Sequence, residues 1–303
     1  MLFWILLERI AMMALLAAVG VYLSRKGLLS AQGSKDLGNI LLRIIIPCLI
    51  VKSYITEYSR ERLLELALSA GLALMGYLLS MAIAYAVYGK RRRLENFAAA
   101  FCNAGFIGIP LAQAVVGSEG VFYAAAAVAL LNLFQWTYGV YIMTGRKDAI
   151  SLKTIAKNPV VLSIVIGVSL FLCRVPVPGL ISDTLGAIAG MNTPIAMILM
   201  GTYLAKLPLR KLLDRRAFGC VLLRLVVIPA VLLAIFCLLP LGGNLPLAMA
   251  VFLTAATPVG ANICIFAQQY NCDYEFSVVT VCLSTVLSVV TVPLLASLAQ
   301  IIL

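Results

Sequence analysis

Two uncharged apolar stretches of the chain contain amide, hydroxyl, glycine and proline residues near their centres. They are FCNAGFIGIPLAQ, residues 101–113, and TAATPVGANICIFAQ, residues 254–268. A helix broken inside a bilayer leaves backbone groups without partners, which costs several kcal/mol unless those groups face protein, water or a ligand. The N–H end of a half-helix favours an anion, and its carbonyl end favours a cation or water. The two stretches therefore predict an anion-binding centre inside an apolar protein.

The candidate binding residues are the polar groups, prolines and glycines of these two stretches, together with polar residues of two other apolar segments. In chain order they are Asn103, Gly105, Gly108, Pro110, Asn132, Gln135, Thr257, Pro258, Gly260, Asn262, Ser284, Thr285 and Ser288. A single proline kink in a membrane helix is usually a packing feature. Two symmetrically placed breaks that both carry amides favour a binding role instead. For Asn132, Gln135 and the three later hydroxyls, packing and binding are equally good interpretations.

The composition indicates an integral membrane protein. Hydrophobic residues make up 63% of the 303 residues and charged residues only 12%, whereas soluble domains are about 45–50% apolar. The net charge of +11 comes from basic residues in short loops, which is typical of membrane orientation and not of a nucleic-acid-binding surface. Glu8 and Arg9 interrupt the first apolar stretch, so we expect a retained span there and not a signal peptide.

Several kinds of chemistry are not expected. Histidine is absent and the eight cysteines show no CxxC spacing, so neither a metal site nor a structural disulfide is predicted. The two broken stretches contain no Asp or Glu, which leaves their centre without a carboxylate that could exchange a proton for a cation. Coupling to sodium through carbonyls and hydroxyls stays open. No nucleophile and base can be assembled, so neither an enzyme nor a cofactor is expected.

The apolar segments predict an all-α integral membrane protein. A membrane span needs about 20 apolar residues to cross ~30 Å of hydrocarbon. Ten such segments, the fourth and ninth of them broken, lie near residues 3–24, 37–55, 65–88, 94–116, 119–143, 159–174, 180–205, 216–239, 245–269 and 274–302.

The loop charges predict an orientation. Most of the 23 Lys and Arg residues fall in the loops after predicted spans one, three, five and seven. The positive-inside rule places those loops in the cytoplasm and both termini outside. Binding of anionic lipid is the alternative role for the same residues. We therefore expect a multi-pass protein of the cytoplasmic membrane.

The chain is predicted to consist of two inverted repeats, residues 1–148 and 149–303. Five spans per half require the second half to enter the membrane in the opposite orientation. The prolines fit this arrangement, because Pro194 and Pro258 follow Pro47 and Pro110 by 147 and 148 residues. If the two broken helices cross near the membrane centre, their ends form one polar site.

These residues resemble the auxin efflux carrier family, which includes plant auxin exporters and bacterial permeases proposed to carry malonate or malate. The matching segments are NAGFIGIPL at 103–111, the stretch at 132–138, ATPVGANICIFAQQYNCD at 256–273 and the last span with LSVVTVPLL. The resemblance implies a fold similar to sodium/bile-acid symporters and sodium/proton antiporters, with ten helices in two inverted repeats. It further implies a scaffold of spans one, two, six and seven, and a transport domain of the others that moves as an elevator. The substrate carboxylate would bind where the broken helices cross, at Asn103, Pro110 and Pro258.

The resulting prediction is a secondary transporter of small organic anions, either mono- or dicarboxylates. The short connection after the fifth span lacks the long loop of many plant members, and Asn262 follows a bacterial pattern, so a metabolic carboxylate is favoured over auxin. A sodium-coupled symporter of the bile-acid type and a receptor domain that binds without transporting are the alternatives. Plant members imply a possible homodimer, and the GxxxG spacing of Gly186 and Gly190 is a candidate helix contact.

Overall fold

A computed structural model describes residues 2–146, 149–150, 153, 156–205, 214–241 and 243–303. Over these residues the chain is helical, and its only β structure is one isolated bridge. The helices are α1 (Leu2–Arg25), α2 (Ala31–Tyr54), α3 (Arg60–Tyr88), α4 (Arg93–Ala100), α5 (Ala104–Val116), α6 (Ser118–Thr144), α7 (Pro159–Leu172), α8 (Gly179–Ala205), α9 (Arg215–Leu238), α10 (Leu245–Ala255), α11 (Asn262–Gln269) and α12 (Tyr274–Ile302).

Seven of these helices are long and apolar enough to cross a membrane. By length and composition they are α2, α3, α6, α8, α9, α12 and, from Leu7 onward, α1. Three further apolar helices, α5, α7 and α10, are shorter. The expected all-α, multi-pass membrane protein is thus confirmed, whereas the number of membrane crossings stays a prediction.

Polar side chains set where several helices begin. Ser30 Oγ accepts the Gly33 N–H at 3.0 Å, and Ser59 Oγ accepts the Arg62 N–H at 3.0 Å, which are standard N-terminal caps. The second helix consequently starts at Ala31 and not near residue 37. Hydropathy missed its first two turns because they are polar and amphipathic, whereas the cap in front of them is a local signal.

Three helices widen into a π-helical segment just ahead of a proline. Proline lacks an N–H and its ring clashes with the carbonyl four residues earlier, and a wider turn relieves that clash. The segments are Leu41–Ile45 before Pro47, Ala104–Gly108 before Pro110 and Leu223–Val227 before Pro229. Each widened turn changes which side chains point inward.

Two glycines bring α1 and α8 into backbone contact. A Cβ built on Gly20 would lie 2.0 Å from the Ile198 carbonyl oxygen, and one on Gly201 would lie 2.0 Å from the Ala17 carbonyl oxygen. Only glycine fits such a crossing. By contrast, a Cβ on Gly190 would meet no described atom within 4 Å. A Cβ on Gly186 would make an ordinary contact, 3.6 Å from Lys52 Cε of α2, so neither glycine of the predicted Gly186–Gly190 pair is at a close backbone approach within the described chain.

Replacing Gly201 by alanine is expected to lower the free energy of unfolding by ~1–3 kcal/mol, because the new methyl group meets the backbone of α1. The matched control is Gly190→Ala on the same helix, which should be as stable as the wild type or up to ~1 kcal/mol more stable, because alanine favours a helix over glycine. Thermal unfolding of both variants in detergent checks this. Equal melting temperatures for the two variants would contradict the close approach of α1 and α8.

Candidate functional site

The two breaks in the helices lie against each other. Residues 101–103 separate α4 from α5, and residues 256–261 separate α10 from α11. The Asn103 N–H donates to the Pro258 carbonyl at 2.8 Å, and the Gly260 N–H donates to the Phe101 carbonyl at 3.0 Å. These reciprocal bonds surround the one antiparallel bridge, between Cys102 and Val259. Each break thus satisfies part of the other's backbone, as a low-dielectric environment requires.

Glycines allow this close crossing. A Cβ on Gly260 would lie 2.7 Å from the Cys102 carbonyl oxygen, which is too close for any side chain. A Cβ on Gly108 would lie 3.0 Å from Thr254 Cγ2 and 3.1 Å from its Cα, so this glycine packs α5 against α10. Gly260 sets the distance between the two breaks, and Gly108 sets the distance between two of the half-helices.

The N-terminal ends of α5 and α11 face one small cavity. In α5 the first bonded amides are those of Ile107 and Gly108, which both donate to the Asn103 carbonyl at 3.1 Å, and in α11 the first is that of Ile263. The N–H groups ahead of them carry the partial positive charge of a helix start. The cavity has a volume of about 30 Å³ and is lined by Leu42, Ile46, Cys102, Asn103, Gly105, Phe106, Val128, Leu131, Asn132, Val160, Gly260, Ala261 and Asn262.

Four amide side chains meet at or beside this cavity. Asn103 is 5% exposed, and its Nδ2 has no hydrogen-bond partner among the described residues. Asn262 Nδ2 donates to Gln135 Oε1 at 2.8 Å, while the buried Gln135 Nε2 is likewise without a partner in the described chain. Asn132 lines the cavity and donates to the Val128 carbonyl at 2.9 Å. Unpaired buried donors are costly, so this amide group is suited to an acceptor ligand.

Two predicted hydroxyls support the crossing instead of facing the cavity. Thr257 is buried and donates to the Thr254 carbonyl at 2.8 Å at the end of α10. Ser284 Oγ accepts the Val259 N–H at 3.1 Å. These contacts hold the second break in place. The prolines are also structural here, because Pro110 lies just after the π-helical start of α5 and the Pro258 carbonyl accepts the Asn103 N–H.

The remaining hydroxyls of α12 lie elsewhere. Ser288 and Thr285 line a separate cavity of about 280 Å³ whose walls come from α1, α5, α8 and α12. Their hydroxyls donate within α12, to the carbonyls of Thr285 and Val281 respectively. The structure therefore does not bring Ser288 or Thr285 to the cavity of Asn103.

The carbonyl ends of the other two half-helices meet at an arginine that the sequence analysis did not single out. Arg224, on α9, is 1% exposed. Its Nη1 donates to the Ala99 carbonyl near the end of α4 at 3.3 Å, and its Nη2 donates to the Ala255 carbonyl at the end of α10. The sequence did contain a signal for Arg224, because it is a charged residue in the interior of a predicted span. Ionisable residues at membrane depth usually mark functional sites.

A wider cavity with basic side chains lies further along α2. It has a volume of about 470 Å³ and is bounded by α2, α8 and the chain around the α5–α6 turn. Lys52 Nζ donates to Ser182 Oγ at 2.5 Å, and Arg62 Nη2 lies 3.1 Å from Glu119 Oε1. Leu49 and Lys52 line this cavity, whereas Leu42 and Ile46 of the same helix line the Asn103 cavity. The wider cavity is of a size typical of small-molecule sites.

An all-helical membrane protein in which two discontinuous helices meet at a polar centre has the features of a transporter. The family model described as "Membrane transport protein" matches residues 5–155 and residues 148–296. The chain therefore belongs to this family, that of the auxin efflux carriers, and the resemblance noted in its sequence is confirmed.

Two relatives agree with this class. An uncharacterized transporter of Methanothermobacter thermautotrophicus is 26% identical over 297 residues, which cover 95% of this chain and 96% of the relative. A protein of Rhizobium meliloti named as a proposed malonate transporter is 27% identical over 210 residues, covering 66% of this chain and 64% of the relative. The family and these names indicate a transporter and not an enzyme.

Proposed function

We propose that this protein is a secondary transporter of small organic anions, and that the anion's carboxylate binds where the two breaks cross. One observation carries the proposal. Asn103, whose buried Nδ2 has no partner in the described chain, and the N-terminal residues of α5 and α11 line the same small cavity. A buried donor without a partner and two positive helix ends both favour an anionic acceptor.

The proposed substrate class is a small mono- or dicarboxylate. The Asn103 cavity, at about 30 Å³, is close to the volume of one water molecule, so binding a carboxylate requires it to widen. Apolar side chains of α2 and α7, namely Leu42, Ile46 and Val160, form one wall. Moving this wall relative to the crossing would admit substrate. Malonate is the first candidate, because a relative carries that name.

The proposed architecture has ten membrane-spanning segments in two inverted repeats, residues 1–148 and 149–303. In this arrangement α4 with α5, and α10 with α11, are the two broken spans. The reciprocal bonds of Asn103 with Pro258 and of Gly260 with Phe101 support it, because they relate the breaks symmetrically about Cys102 and Val259.

We further propose that α1, α2, α7 and α8 form a scaffold against which the other helices move as an elevator. Three cavities lie between these two groups of helices, with volumes of about 470, 280 and 30 Å³. The bonds that hold the crossing, including those of Arg224, Ser284 and Gln135, all lie within the moving group. The site can therefore move as a unit while the loosely packed boundary slides.

The proposed orientation has both termini outside. The basic loop between α3 and α4 would then be cytoplasmic and the α2–α3 loop external; residues 206–213, which also support this orientation, lie outside the described chain. In a cysteine-free background, Arg91→Cys should react with a membrane-impermeant thiol reagent only from the cytoplasmic side. Glu57→Cys, the matched control on an equally exposed loop, should react only from outside. The reverse pattern would contradict the orientation.

Uptake into proteoliposomes tests the function. Labelled malonate, malate, succinate, lactate and indole-3-acetate are offered with and without a sodium gradient. Saturable, sodium-independent uptake of a small carboxylate is the expected result. Strict sodium dependence would indicate the symporter instead. A carboxylate that raises the melting temperature of the detergent-solubilised protein but never accumulates in liposomes would indicate a receptor.

A further inference from the structure

Arg224 is a buried positive charge whose partners are helix ends. Its guanidinium group donates to carbonyls of Ala99 and Ala255, which belong to the last turns of α4 and α10. The ion pairs formed by the described side chains, Arg62–Glu119 and Arg216–Glu95, do not include Arg224. Since a buried charge must be compensated, the two helix ends supply the compensation that a carboxylate would otherwise provide.

Of the four helix ends at the crossing, the two negative ends are neutralised and the two positive ends are not. Each helix C-terminus carries roughly −0.5 of an elementary charge, so two of them together match the single charge of a guanidinium. The starts of α5 and α11, roughly +0.5 each, keep their charge and face the Asn103 cavity. Cys102 lines both that cavity and a smaller one of about 10 Å³ beside Arg224. The neutralised ends and the positive ends are thus on opposite sides of one short segment.

In transporters with discontinuous helices, the carbonyl ends of the half-helices generally coordinate the coupling sodium ion or proton. Here a side chain of the protein occupies that position. We propose that Arg224 is a fixed internal cation that takes the place of a coupling cation and makes the crossing an anion site that works without sodium. This inference rests on the proposed function. Arg224 is a positioning residue, because it does not line the cavity assigned to the substrate.

Cation dependence distinguishes this role from a purely structural one. A residue that only caps two helices would, when replaced, lower stability in the same way in every salt. A residue that replaces a coupling cation leaves, on removal, two converging carbonyl ends that a small external cation can occupy. Arg224→Gln removes the charge and part of the volume, and Arg224→Lys keeps the charge.

The experiment compares malonate uptake by the wild type, Arg224→Gln and Arg224→Lys in choline, sodium and methylguanidinium media. The wild type should be indifferent to the cation. Arg224→Gln should be at least ~10-fold slower in choline, because removing a buried charge leaves the two helix ends that it contacted without a partner. It should be several-fold faster when sodium or methylguanidinium is added. Arg224→Lys should transport without sodium. Two results would overturn the proposal. One is that Arg224→Gln takes up malonate in choline as fast as the wild type. The other is that Arg224→Gln is folded and slow, and that neither cation accelerates it.

A second measurement keeps the two proposals separate. The melting temperature of Arg224→Gln in detergent should rise with millimolar methylguanidinium or sodium while that of the wild type does not, and equal responses would overturn the role of Arg224. The melting temperatures test Arg224 even if the wild type transports none of the carboxylates offered. That absence of transport would reject the proposed function but not the role of Arg224. If Arg224→Gln does not fold, Arg224→Lys decides, and a sodium requirement in that variant would overturn the proposal.

Discussion

Replacing Asn103 by alanine is expected to lower carboxylate transport at least ~10-fold while the protein stays folded. Asn103 lines the proposed anion cavity, and its buried Nδ2 has no partner in the described chain. A hydrogen bond to a charged group contributes ~1.5–3 kcal/mol, and losing it corresponds to about 10- to 150-fold in affinity. Uptake of labelled malonate by reconstituted wild type and variant measures the loss, and gel filtration with thermal unfolding checks the fold.

Two further variants sharpen this prediction. Asn103→Asp places a negative charge in the same position and should abolish transport of an anion at least as completely, because like charges in a low-dielectric site repel strongly. Asn39→Ala removes an amide from the exposed face of α2 and should transport like the wild type. Undiminished uptake by Asn103→Ala, or improved uptake by Asn103→Asp, would contradict an anion site at the crossing.

Replacing Gly260 by valine is expected to disrupt the crossing and with it the fold of the protein. Even a Cβ alone at this position would lie 2.7 Å from the Cys102 carbonyl oxygen. This oxygen belongs to the backbone, so it cannot rotate away as a side chain can. Separating the breaks would also weaken the bonds between Asn103 and Pro258 and between Gly260 and Phe101. We expect a loss of about 3 kcal/mol or more, seen as a large fall in melting temperature or in the yield of monodisperse protein.

Gly105→Ala is the matched control for this substitution. Gly105 belongs to the same crossing, but its Cβ would make an ordinary contact at 3.5 Å with Ile46 Cδ1. It should therefore fold with a stability close to that of the wild type. Equal stability of Gly105→Ala and Gly260→Val would show that the two breaks do not approach as closely as described.

The breaks themselves could be predicted because their residues are a local signal. Glycine and proline weaken a helix locally, although single prolines such as Pro47 and Pro229 stand inside continuous helices. Asparagine beside a cluster of them supplies groups that an apolar environment would not otherwise retain. The contact of one break with the other depends on tertiary packing. That contact was predicted only from the symmetric positions of Pro110 and Pro258 and from the resemblance, and no local pattern specifies the bond from Asn103 to Pro258.

Arg224 shows why part of the site could not be predicted. The segments LLRIIIP at 41–47 and LLRLVVIP at 222–229 are nearly the same pattern, yet Arg43 is exposed and Arg224 is buried. Where the residues on every side of a helix are apolar, periodicity does not indicate which side faces the protein. For the same reason the sequence did not distinguish Ser284 from Ser288, which lie one turn apart on α12. In the structure only Ser284 contacts the crossing.

The most direct test of the central claim is the current that a malonate concentration jump produces in proteoliposomes on a solid-supported membrane, in sodium-free buffer. Transport of an anion through a site made of amides and helix ends predicts a saturable current that carries negative charge with the substrate. The current should be present without sodium and absent in Asn103→Asp. A current that requires sodium, or one that is unchanged in Asn103→Asp, would contradict an anion site at the crossing of the two breaks.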